Sequence, residues 1–380
     1  ENPFLVLHRF ISSFAFSNED VAESGLIGYI GYDAVKYMET VRIDARQVEN
    51  AIPIFQFNLF RFIIEFDHLK HKATVRQNVI EGEDEVNFPS EVLSGSSGTT
   101  YPFRMIGEQF SFTTSQKFIA NVVRGKEYCR RGDVFQVVLS RKFAQKFQGD
   151  DFNVYRSLRM VNPSPYLFYA DFKNFRLMGS SPEAQLVSKN GEAEIHPIAG
   201  TYKKTGVFFE DLILAEKLLA DKKESAEHVM LVDLARNDLA RFCNKVEVVE
   251  YKQVYNYSHV MHLVSKVKGK INSEMTVVDQ ITHSFPAGTL SGAPKVRAMQ
   301  IIDDCEEVAR DWYGGCIGMI GFDGSVNMAI MIRTFLSRNN ELHYQAGAGV
   351  VIDSVPENEL NEIDNKLAAL KLALEQATKL

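Results

Sequence analysis

The clearest periodic pattern in the sequence lies over residues 114–131, where apolar side chains recur at the helical period. Phe118, Val122, Val123 and Tyr128 recur near that period. Gly132 follows directly, and glycine commonly ends helices because it adopts the left-handed backbone without strain. The pattern therefore predicts a helix over residues 114–131.

The next segment alternates between polar and apolar residues, which is the pattern of a strand. Over residues 133–146, Gln136, Val138 and Ser140 share one face, whereas Val137 and the other odd-numbered apolar residues share the opposite face. We therefore expect a strand that carries Gln136 and Val137 on opposite sides.

Similar patterns predict the other elements. A Gly-rich strand leads into a short helix over residues 25–40, and the acidic, then Ser/Gly-rich residues 82–105 indicate a flexible surface connection. Strand pairs with interspersed helices are typical of an α+β fold, so we expect mostly antiparallel sheets packed as a sandwich with helices on the outside. Further strands are predicted at 51–65, 71–80, 166–172, 184–188, 245–251, 262–268, 315–322, 326–335 and 342–351, and further helices at 210–239, 274–283, 294–307 and 357–377.

The composition is that of a globular protein and disfavours two classes of partner. Of the 380 residues 45% are hydrophobic, and the longest apolar stretches are strand-sized, not the ~20 residues that span a bilayer. The net charge of −7 argues against a nucleic-acid surface, which needs clustered Lys and Arg. We therefore expect neither a membrane nor a nucleic acid as a partner.

The four cysteines are widely spaced, and none forms a Cys-x-x-Cys pair of the kind that binds zinc or exchanges disulfides. Buried thiols in a reducing compartment are the simplest interpretation. This interpretation favours the cytoplasm, or a plastid if the protein comes from a plant.

Two of the predicted helical segments carry paired carboxylates three residues apart. Glu224 and Glu227 form one pair, and Glu359 and Glu362 form the other. This spacing puts both members of a pair on one helix face. Four oxygen ligands from two helices suit a hard divalent cation, and Mg²⁺ would keep waters and take substrate oxygens as well. The alternative is a solvated acidic face, since Glu pairs are common on helices.

Two titratable residues are candidates for proton transfer. His262 lies at the start of a predicted strand and can act as acid or base near neutral pH, although His259 competes for that role. Glu183 follows a tight turn, and apolar neighbours would raise its pKa enough for it to donate a proton. The alternatives are a satisfied core or surface histidine and a surface turn carboxylate.

Glycine-rich segments and one arginine are candidates for anion binding. Residues 288–295 form a Gly-rich loop that runs into a helix, a place where backbone N–H groups attract a phosphate or a carboxylate, or an ordinary helix cap. Arg333 lies in a predicted strand among apolar residues, where it either clamps a carboxylate or pairs with a structural Asp or Glu. The glycines of residues 345–351 allow a ligand to approach the backbone, or accommodate a bulge.

In this order, these segments resemble the chorismate-utilising enzymes, a family that includes anthranilate synthase component I, aminodeoxychorismate synthase component I, isochorismate synthase and salicylate synthase. The resemblance covers residues 115–375, with a looser match at residues 28–33. The matching segments are residues 132–141, 179–183, 196–201, 226–238, 257–265, 285–295 and 345–354.

The resemblance implies a role for each candidate. Glu183 would protonate the departing 4-hydroxyl of chorismate, His262 would assist elimination of pyruvate, and the two Glu pairs would hold Mg²⁺ against the ring carboxylate. Gly288 and Thr289 would flank that carboxylate, and Lys366 would be a partner of the metal site. The enolpyruvyl carboxylate would be bound by Tyr313, Arg333, Gly347 and Gly349, and further substrate contacts would come from Ala199, Gly200 and Thr201.

Two positions choose among the members of the family. Gln136 stands where members that add water have a lysine, and glutamine cannot act as that base. Ala199 stands where many aminodeoxychorismate synthases have a lysine. The resemblance therefore implies an anthranilate synthase catalytic subunit, which adds ammonia and releases pyruvate. Aminodeoxychorismate synthase component I and a non-catalytic chorismate-binding regulatory subunit are the alternatives.

The resemblance also implies two partners besides chorismate: a source of ammonia and tryptophan as an inhibitor. The sequence has no Cys nucleophile elbow, so ammonia would come from solution or from a separate glutamine amidotransferase subunit. One segment of this chain resembles one half of the family's tryptophan feedback site. The other half, a Leu-Leu-Glu-Ser-type strand, has no match here, since residues 22–24 lack the paired leucines. We therefore expect weak inhibition by tryptophan. The matching half consists of Asn162, Pro163, Ser164, Pro165, Tyr166 and Phe168.

The chain starts at Glu1 without Met, which fits a missing N-terminal segment. We expect residues 1–105 to be an incomplete N-terminal portion and residues 106–380 to be the catalytic core. Two departures from the family pattern, at residues 202–204 and at Val355, lie beside the proposed chemistry rather than in it.

Overall fold

The computed structural model describes residues 1–16, 24–41, 43, 52–84, 86–89, 92, 101–256 and 260–380. A short 3₁₀ helix spans Tyr32–Tyr37. The α-helices are α1 (Pro3–Ser12), α2 (Ser115–Arg130), α3 (Phe152–Val161), α4 (Phe208–Ala220), α5 (Lys222–Ala240), α6 (Val277–Ser284), α7 (Gly288–Ser291), α8 (Lys295–Cys305) and α9 (Pro356–Ala377).

The strands of the described part of the chain form two large sheets and a hairpin, and their pairings are antiparallel, as predicted. The strands are β1 (Gly25–Ile30), β2 (Phe55–Leu59), β3 (Phe62–Asp67), β4 (Lys72–Gln77), β5 (Arg104–Ser111), β6 (Gln136–Gln148), β7 (Tyr166–Asp171), β8 (Arg176–Ser181), β9 (Ala184–Lys189), β10 (Glu192–Ile195), β11 (Ile198–Lys203), β12 (Cys243–Asn256), β13 (Val260–Ile271), β14 (Gly292–Ala293), β15 (Cys316–Gly321), β16 (Val326–Ile330), β17 (Thr334–Arg338) and β18 (Glu341–Val350).

Strand order shows how the sheets are assembled. The first sheet runs β11-β13-β10-β9-β16-β15-β1-β2, with β12 also paired to β13, and the second runs β14-β6-β18-β17-β8-β7, with β5 paired to β6. β3 and β4 form the separate hairpin. The predicted pairing of residues 51–65 with 71–80 is thus only partly right, because β2 pairs with β1 instead.

The two large sheets pack face to face, and helices cover their outer faces. One buried cluster joins Tyr29, Ile317 and Ile330 of the first sheet to Leu177 and Leu336 of the second. A second cluster packs α2, α3, α8 and α9 against the second sheet, and a third packs α1, α5 and α6 against the first. The α+β sandwich with helices on the outside is confirmed.

Helix α2 forms where the sequence pattern predicts it, for local reasons. The Thr114 hydroxyl accepts a hydrogen bond from Lys117 N at 3.2 Å and caps the helix, and Gly132 follows its end with φ = 79°. Phe118 and Val122 are fully buried against the second sheet. Burial of this apolar face fixes the helix on the sheet that carries Gln136.

The predicted helix over residues 210–239 is wrong in one respect, because the structure divides it into α4 and α5. The Asp221 carboxylate accepts from Lys223 N at 2.9 Å and from Glu224 N at 3.1 Å, so it caps a new helix instead of continuing the old one. The cap places Glu224 in the first turn of α5.

The predicted strand over residues 326–335 is also wrong, because β16 belongs to the first sheet and β17 to the second. Arg333 lies in the connection between them with φ = 49°, a left-handed conformation that interrupts a strand. A continuous apolar run hides such a crossover, since both strands are buried and read alike. β8, β10 and β11 were not predicted either.

None of the described helices combines the length and apolar composition needed to cross a bilayer. Residues 22 and 23 and His259 lie outside the described residues.

Candidate active site

Glu183 lies where the chain passes from β8 in the second sheet to β9 in the first. Arg333 lies in the reverse crossover, from β16 to β17. Backbone bonds hold the two crossovers together: Ser180 N donates to Arg333 O at 3.1 Å, and Ile330 N donates to Glu183 O at 3.0 Å. The sandwich thus brings a carboxylate and a guanidinium to the same edge, although 150 residues separate them in the sequence.

The Glu183 carboxyl is poised to carry a proton. Burial raises its pKa to about 8, and the Thr289 hydrogen bond and the charges of Arg333 and Lys366 only partly offset that effect. Thr289 Oγ1 donates to Glu183 Oε1 at 3.1 Å. At neutral pH this carboxyl is therefore protonated and can act as an acid.

Thr289 is carried by α7, whose approach to α5 requires glycine. A Cβ on Gly288 would lie 1.8 Å from Leu234 Cδ2, so a larger residue would push α7 away from the helix. This contact explains the glycine of the loop at residues 288–295 and fixes the hydroxyl that bonds Glu183.

Arg333 faces the same region with a partly buried guanidinium. Desolvation lowers its pKa, and the Glu183 charge opposes that shift. A protonated Glu183 leaves this cation without full compensation. The arrangement therefore favours an incoming carboxylate over a structural ion pair.

His262 lies on β13 opposite residue 201 of β11. Its Nδ1 lies 3.0 Å from Gly200 O, and since a carbonyl only accepts, Nδ1 carries the proton. Burial lowers the pKa of His262, and the charge of Arg333 lowers it further, whereas the bond to Gly200 opposes the shift. The imidazole is therefore neutral at pH 7 and suited to accept a proton.

Gly200 links the histidine to the carboxylates of α5. The backbone is left-handed there (φ = 65°), and a Cβ would lie 3.1 Å from Glu224 Oε2. Ala199 is buried opposite Leu263, and a register shift separates it from residue 201. β11 thus joins His262 on one side to Glu224 on the other.

Two glycines of β18 form a close-packed wall beside the site. A Cβ on Gly347 would lie 2.9 Å from Tyr313 Oη, and one on Gly349 would lie 2.5 Å from Gln136 Nε2. Burial raises the pKa of Tyr313, so its hydroxyl remains a hydrogen-bond donor. These contacts bring together Tyr313, Gly347 and Gly349, three of the four positions implied to bind the enolpyruvyl carboxylate.

The α9 and α5 side chains reach this wall from outside. Lys366 Nζ donates to Gly347 O at 2.8 Å and pairs with Glu362 Oε1 at 2.7 Å. Gln136 Nε2 donates to Glu227 Oε1 at 3.3 Å. α5 therefore presents Glu227 to β6, and α9 presents Glu362 near the neighbouring strand β18.

The four paired glutamates act on one another across α5 and α9. Burial raises the pKa of Glu224, and the negative charges of Glu227, Asp221 and Glu362 add to the rise. Burial also raises the pKa of Glu359, and the Glu362 charge contributes, against a hydrogen bond from Ser354. Such mutual repulsion is what a divalent cation would relieve, and carboxylate oxygens are the donors that Mg²⁺ prefers.

Within the described residues, no three His, Cys, Asp or Glu side chains already converge as a metal site. The glutamates fit a hard cation by their donor atoms and by sharing one region, but side-chain rotation is needed to bring them together. Glu227 and Glu362 are at present held by Gln136 and Lys366.

The segment with tryptophan-site resemblance ends α3 and begins β7, at the border of the second sheet. Asn162 caps α3, and its buried Nδ2 has no hydrogen-bond partner among the described residues. Its carbonyl accepts from Ser180 Oγ, close to the Arg333 crossover. Phe168 packs on Gly179, where a Cβ would lie 2.4 Å from the ring. Pro163, Ser164 and Pro165 form the connection.

A pair of residues beside Glu183 was missed as a functional candidate. A partly open pocket is lined by Glu183, Thr289 and Asp238, among others. Asp238 is buried and pairs with Lys295 Nζ at 2.7 Å. Asp238 and Lys295 both lie in segments that resemble the family. Nothing in their sequence positions indicates that their side chains are in contact.

Comparison with known proteins places this site in a family. Residues 6–372 match the family described as chorismate binding enzyme. The chain belongs to this family.

Within this family, the chain is similar to proteins named anthranilate synthase component 1. The chain is 42% identical over 374 residues to anthranilate synthase component 1 of Aquifex aeolicus, covering 93% of this chain and 74% of that protein. It is 40% identical over 373 residues to the component 1 of Acetivibrio thermocellus, covering 93% and 75%.

Solved structures agree with these relatives. Anthranilate synthase component I from Streptococcus pneumoniae superposes with a TM-score of 0.83 at 34% identity, over 97% of this chain and 86% of that one. The menaquinone-specific isochorismate synthase of Escherichia coli shares the fold, with a TM-score of 0.79 at 21% identity, over 97% and 82%.

Proposed function

We propose that the chain is the catalytic subunit of an anthranilate synthase, which converts chorismate and ammonia to anthranilate and pyruvate in the first committed step of tryptophan biosynthesis. The names of its relatives support this reaction. The observation that carries it is the Glu183 carboxyl, held by Thr289 beside Arg333 with its pKa raised to about 8 by burial.

The first step adds ammonia to ring C2. As the C–N bond forms, the ring double bonds shift and the 4-hydroxyl leaves with a proton from Glu183, so water is the product. Arg333 and Tyr313 hold the enolpyruvyl carboxylate and keep the 4-hydroxyl aimed at Glu183. A group that stays protonated at neutral pH suits this step, because hydroxide is a poor leaving group.

The second step eliminates pyruvate. The neutral His262 accepts the proton from C2, the bond between C3 and the enolpyruvyl oxygen breaks, and the ring becomes aromatic. The enol of pyruvate takes up a proton at carbon. The hydrogen bond from Nδ1 to Gly200 O leaves Nε2 as the basic nitrogen.

Two residues disfavour nucleophiles other than ammonia: Gln136 disfavours water, and Ala199 disfavours attack by a lysine amine. Gln136 has no basic group, and its amide is engaged by Glu227. Ala199 offers no amine that could attack the ring. Both therefore favour ammonia as the nucleophile.

The carboxylates of α5 and α9 would hold Mg²⁺, with Glu227 and Glu362 as primary ligands and Glu224 and Glu359 beside them. A bound Mg²⁺ supplies positive charge that neutralises the ring carboxylate of chorismate. Lys366 would keep Glu362 oriented toward the wall at Gly347. Gly288 and Thr289 would flank the same ring carboxylate.

Ammonia would be supplied by a glutamine amidotransferase subunit, as the designation component 1 of the relatives suggests. The test uses the purified chain with chorismate, Mg²⁺ and a high concentration of ammonium near pH 8, where free ammonia is present and part of Glu183 remains protonated. Ammonium is expected to support anthranilate formation, read by fluorescence and mass, and glutamine alone is not.

Three results would change this assignment. A 4-amino product that retains the ring hydrogens would identify an aminodeoxychorismate synthase. Chorismate binding without turnover would indicate a regulatory subunit. Anthranilate formation from glutamine by the single chain would show that it hydrolyses glutamine itself.

A further inference from the structure

A buried ion pair lies behind the site and takes no part in the chemistry described above. Arg310 and Glu306 have side chains only 2% and 8% exposed. Arg310 Nε donates to Glu306 Oε2 at 2.9 Å, and Nη2 donates to Glu306 Oε1 at 2.8 Å, which is the bidentate geometry of a fixed pair.

The guanidinium also binds two backbone carbonyls from separate elements. Nη1 donates to Leu290 O at 2.5 Å, and Nη2 donates to Val138 O at 2.7 Å. Leu290 follows Thr289 on α7, and Val138 lies two residues beyond Gln136 on β6. One planar group therefore sets the spacing between the loop that bonds Glu183 and the strand that bonds Glu227.

The carboxylate extends the same connection to β18. Glu306 Oε1 accepts from Ser140 N and from Ser140 Oγ, both at 2.8 Å. Ser140 Oγ in turn accepts from Gln345 Nε2 at 2.7 Å. Gln345 lies two residues before Gly347, so the wall of the site is tied to the pair through a single hydroxyl.

Arg310 also contacts Tyr313, which lies outside α7, β6 and β18. Its backbone N donates to Arg310 O at 3.0 Å, and its ring centroid lies 5.8 Å from the guanidinium carbon. The side chains of the pair thus bond α7 and β6 directly and reach β18 through Ser140, and the guanidinium lies near the Tyr313 ring.

We propose that Arg310 and Glu306 are positioning residues that fix the distance between two parts of the site. One part is Glu183 with its partner Thr289, and the other is Tyr313 and Gly347. This rests on the proposed function. The pair does not touch the substrate; it holds the acid and the carboxylate-binding groups at the distance that one chorismate spans. Misplacement of about 1 Å in such a frame lowers rates by roughly a hundredfold.

Arg310→Lys is the direct test, because it retains the charge but loses the planar fork that binds three partners at once. We expect kcat to fall roughly 10- to 100-fold, while KM for chorismate changes little. A kcat equal to that of the wild type would overturn the proposal.

The pH profile supplies a readout that a purely structural role would not move. The Thr289 hydrogen bond lowers the pKa of Glu183, so displacement of α7 would raise that pKa. The acid must be protonated, so the alkaline fall in kcat should move to higher pH in Arg310→Lys, as in Thr289→Val. An unmoved alkaline limb, measured at constant free ammonia, would contradict the proposal.

Arg176→Lys is the matched control. Arg176 lies on β8, bonds Asp171 at 2.9 Å and Asp151 at 3.3 Å, and belongs to the same sheet without reaching the site. It is expected to lower thermal stability without changing kcat or the pH profile. If it lowered kcat as much as Arg310→Lys, the effect would be general and the proposal wrong.

Ser140→Ala tests the pair without disturbing a buried charge, and it decides the matter if Arg310→Lys does not fold. The variant loses both hydrogen bonds of the Ser140 hydroxyl, the one donated to Glu306 and the one accepted from Gln345. This loss is expected to lower kcat roughly 3- to 10-fold with an unchanged circular dichroism spectrum. An unchanged kcat would overturn the link to β18. A wild-type chain that forms no anthranilate would overturn the proposed function as well, whereas active wild type with fully active variants would overturn this proposal alone.

Discussion

At the scale of single residues, protonation states divide the work of the site. Burial raises the pKa of Glu183 to about 8 and lowers that of His262, so the carboxyl is neutral and the imidazole is neutral at pH 7. A protonated acid and an unprotonated base thus coexist at one pH. Arg333 contributes to both, since its charge favours an ionised Glu183 and disfavours a protonated His262.

The first prediction concerns pH. As the proposed acid, Glu183 must be protonated, so we expect the enzyme's activity to be retained below the pKa of Glu183 and lost as pH rises through about 8. Glu183→Gln should lower kcat by about 10²–10⁴-fold, the usual contribution of a general acid. The measurement is kcat against pH at constant free ammonia, and an alkaline limb that persists in Glu183→Gln would assign the ionisation to another group.

The second prediction concerns the base. His262→Ala should impair pyruvate release more than amination, because the lowered pKa keeps His262 ready to accept the C2 proton. Chromatography is expected to detect an aminated intermediate that retains its enolpyruvyl group. His283→Ala, on α6, is the control and should behave as wild type. Unchanged anthranilate formation by His262→Ala, with loss in His259→Ala, would move the role to His259.

At the scale of elements, the site depends on helix faces that meet across the fold. Asp221 begins α5 and thereby sets the rotation of Glu224 and Glu227, while α9 presents Glu362 from the other side. The three-residue spacing predicted each pair. Only the packing of α9 on β18 and of α5 on β11 and β13 puts the pairs in the same region.

The third prediction follows from these facing helices. Activity should require Mg²⁺, and Glu227→Gln or Glu362→Gln should weaken the bridge to the substrate by several kcal/mol, or roughly a hundredfold or more. Glu375→Gln is the matched control, an exposed residue on α9 about 20 Å further along the helix. Metal titration of turnover is the measurement. Full activity in EDTA, or in either site variant, would refute the metal assignment.

At the scale of the whole molecule, two sheets meet along an edge that carries the proposed chemistry. Both crossovers between the sheets, at Glu183 and at Arg333, lie there. The segment from Asn162 to Phe168 borders the same sheet, and its Asn162 amide is buried without a partner among the described residues. A ligand amino acid could satisfy that amide.

The fourth prediction concerns tryptophan. The 380 residues contain no Leu-Leu-Glu-Ser sequence, the motif that would meet the ammonium of tryptophan. An unpaired buried ammonium costs about 1–3 kcal/mol or more, which is a loss of roughly tenfold or more in affinity. Titration of anthranilate formation by this chain should therefore give weak inhibition, with phenylalanine as the control. Micromolar inhibition would locate the ammonium site elsewhere in the chain.

The sequence by itself determined most of the elements and their type. The helical period over Phe118 and Val122 predicted α2, and the alternation from Gln136 predicted β6, because side chains on a buried face must repeat with the backbone. The candidates Glu183, His262 and Arg333 were all identified, since their segments resemble a known family. The reducing compartment and the boundary at residue 105 remain predictions.

The tertiary structure decided features that the periodicity of apolar residues does not indicate. The break at Asp221 was missed because a capping carboxylate reads like the other charged residues of a helix. The crossover at Arg333 was missed because its left-handed backbone leaves no mark in a buried apolar run. The bond from Thr289 to Glu183 joins residues that are 106 positions apart and related only in space. Arg310 and Glu306 are four residues apart, but their bonds to Leu290, Val138 and Ser140 depend on the packing of separate elements. Hydrophobic pattern reports which face of an element is buried, whereas the partners of polar groups depend on which elements meet, and only the packed sheets settle that.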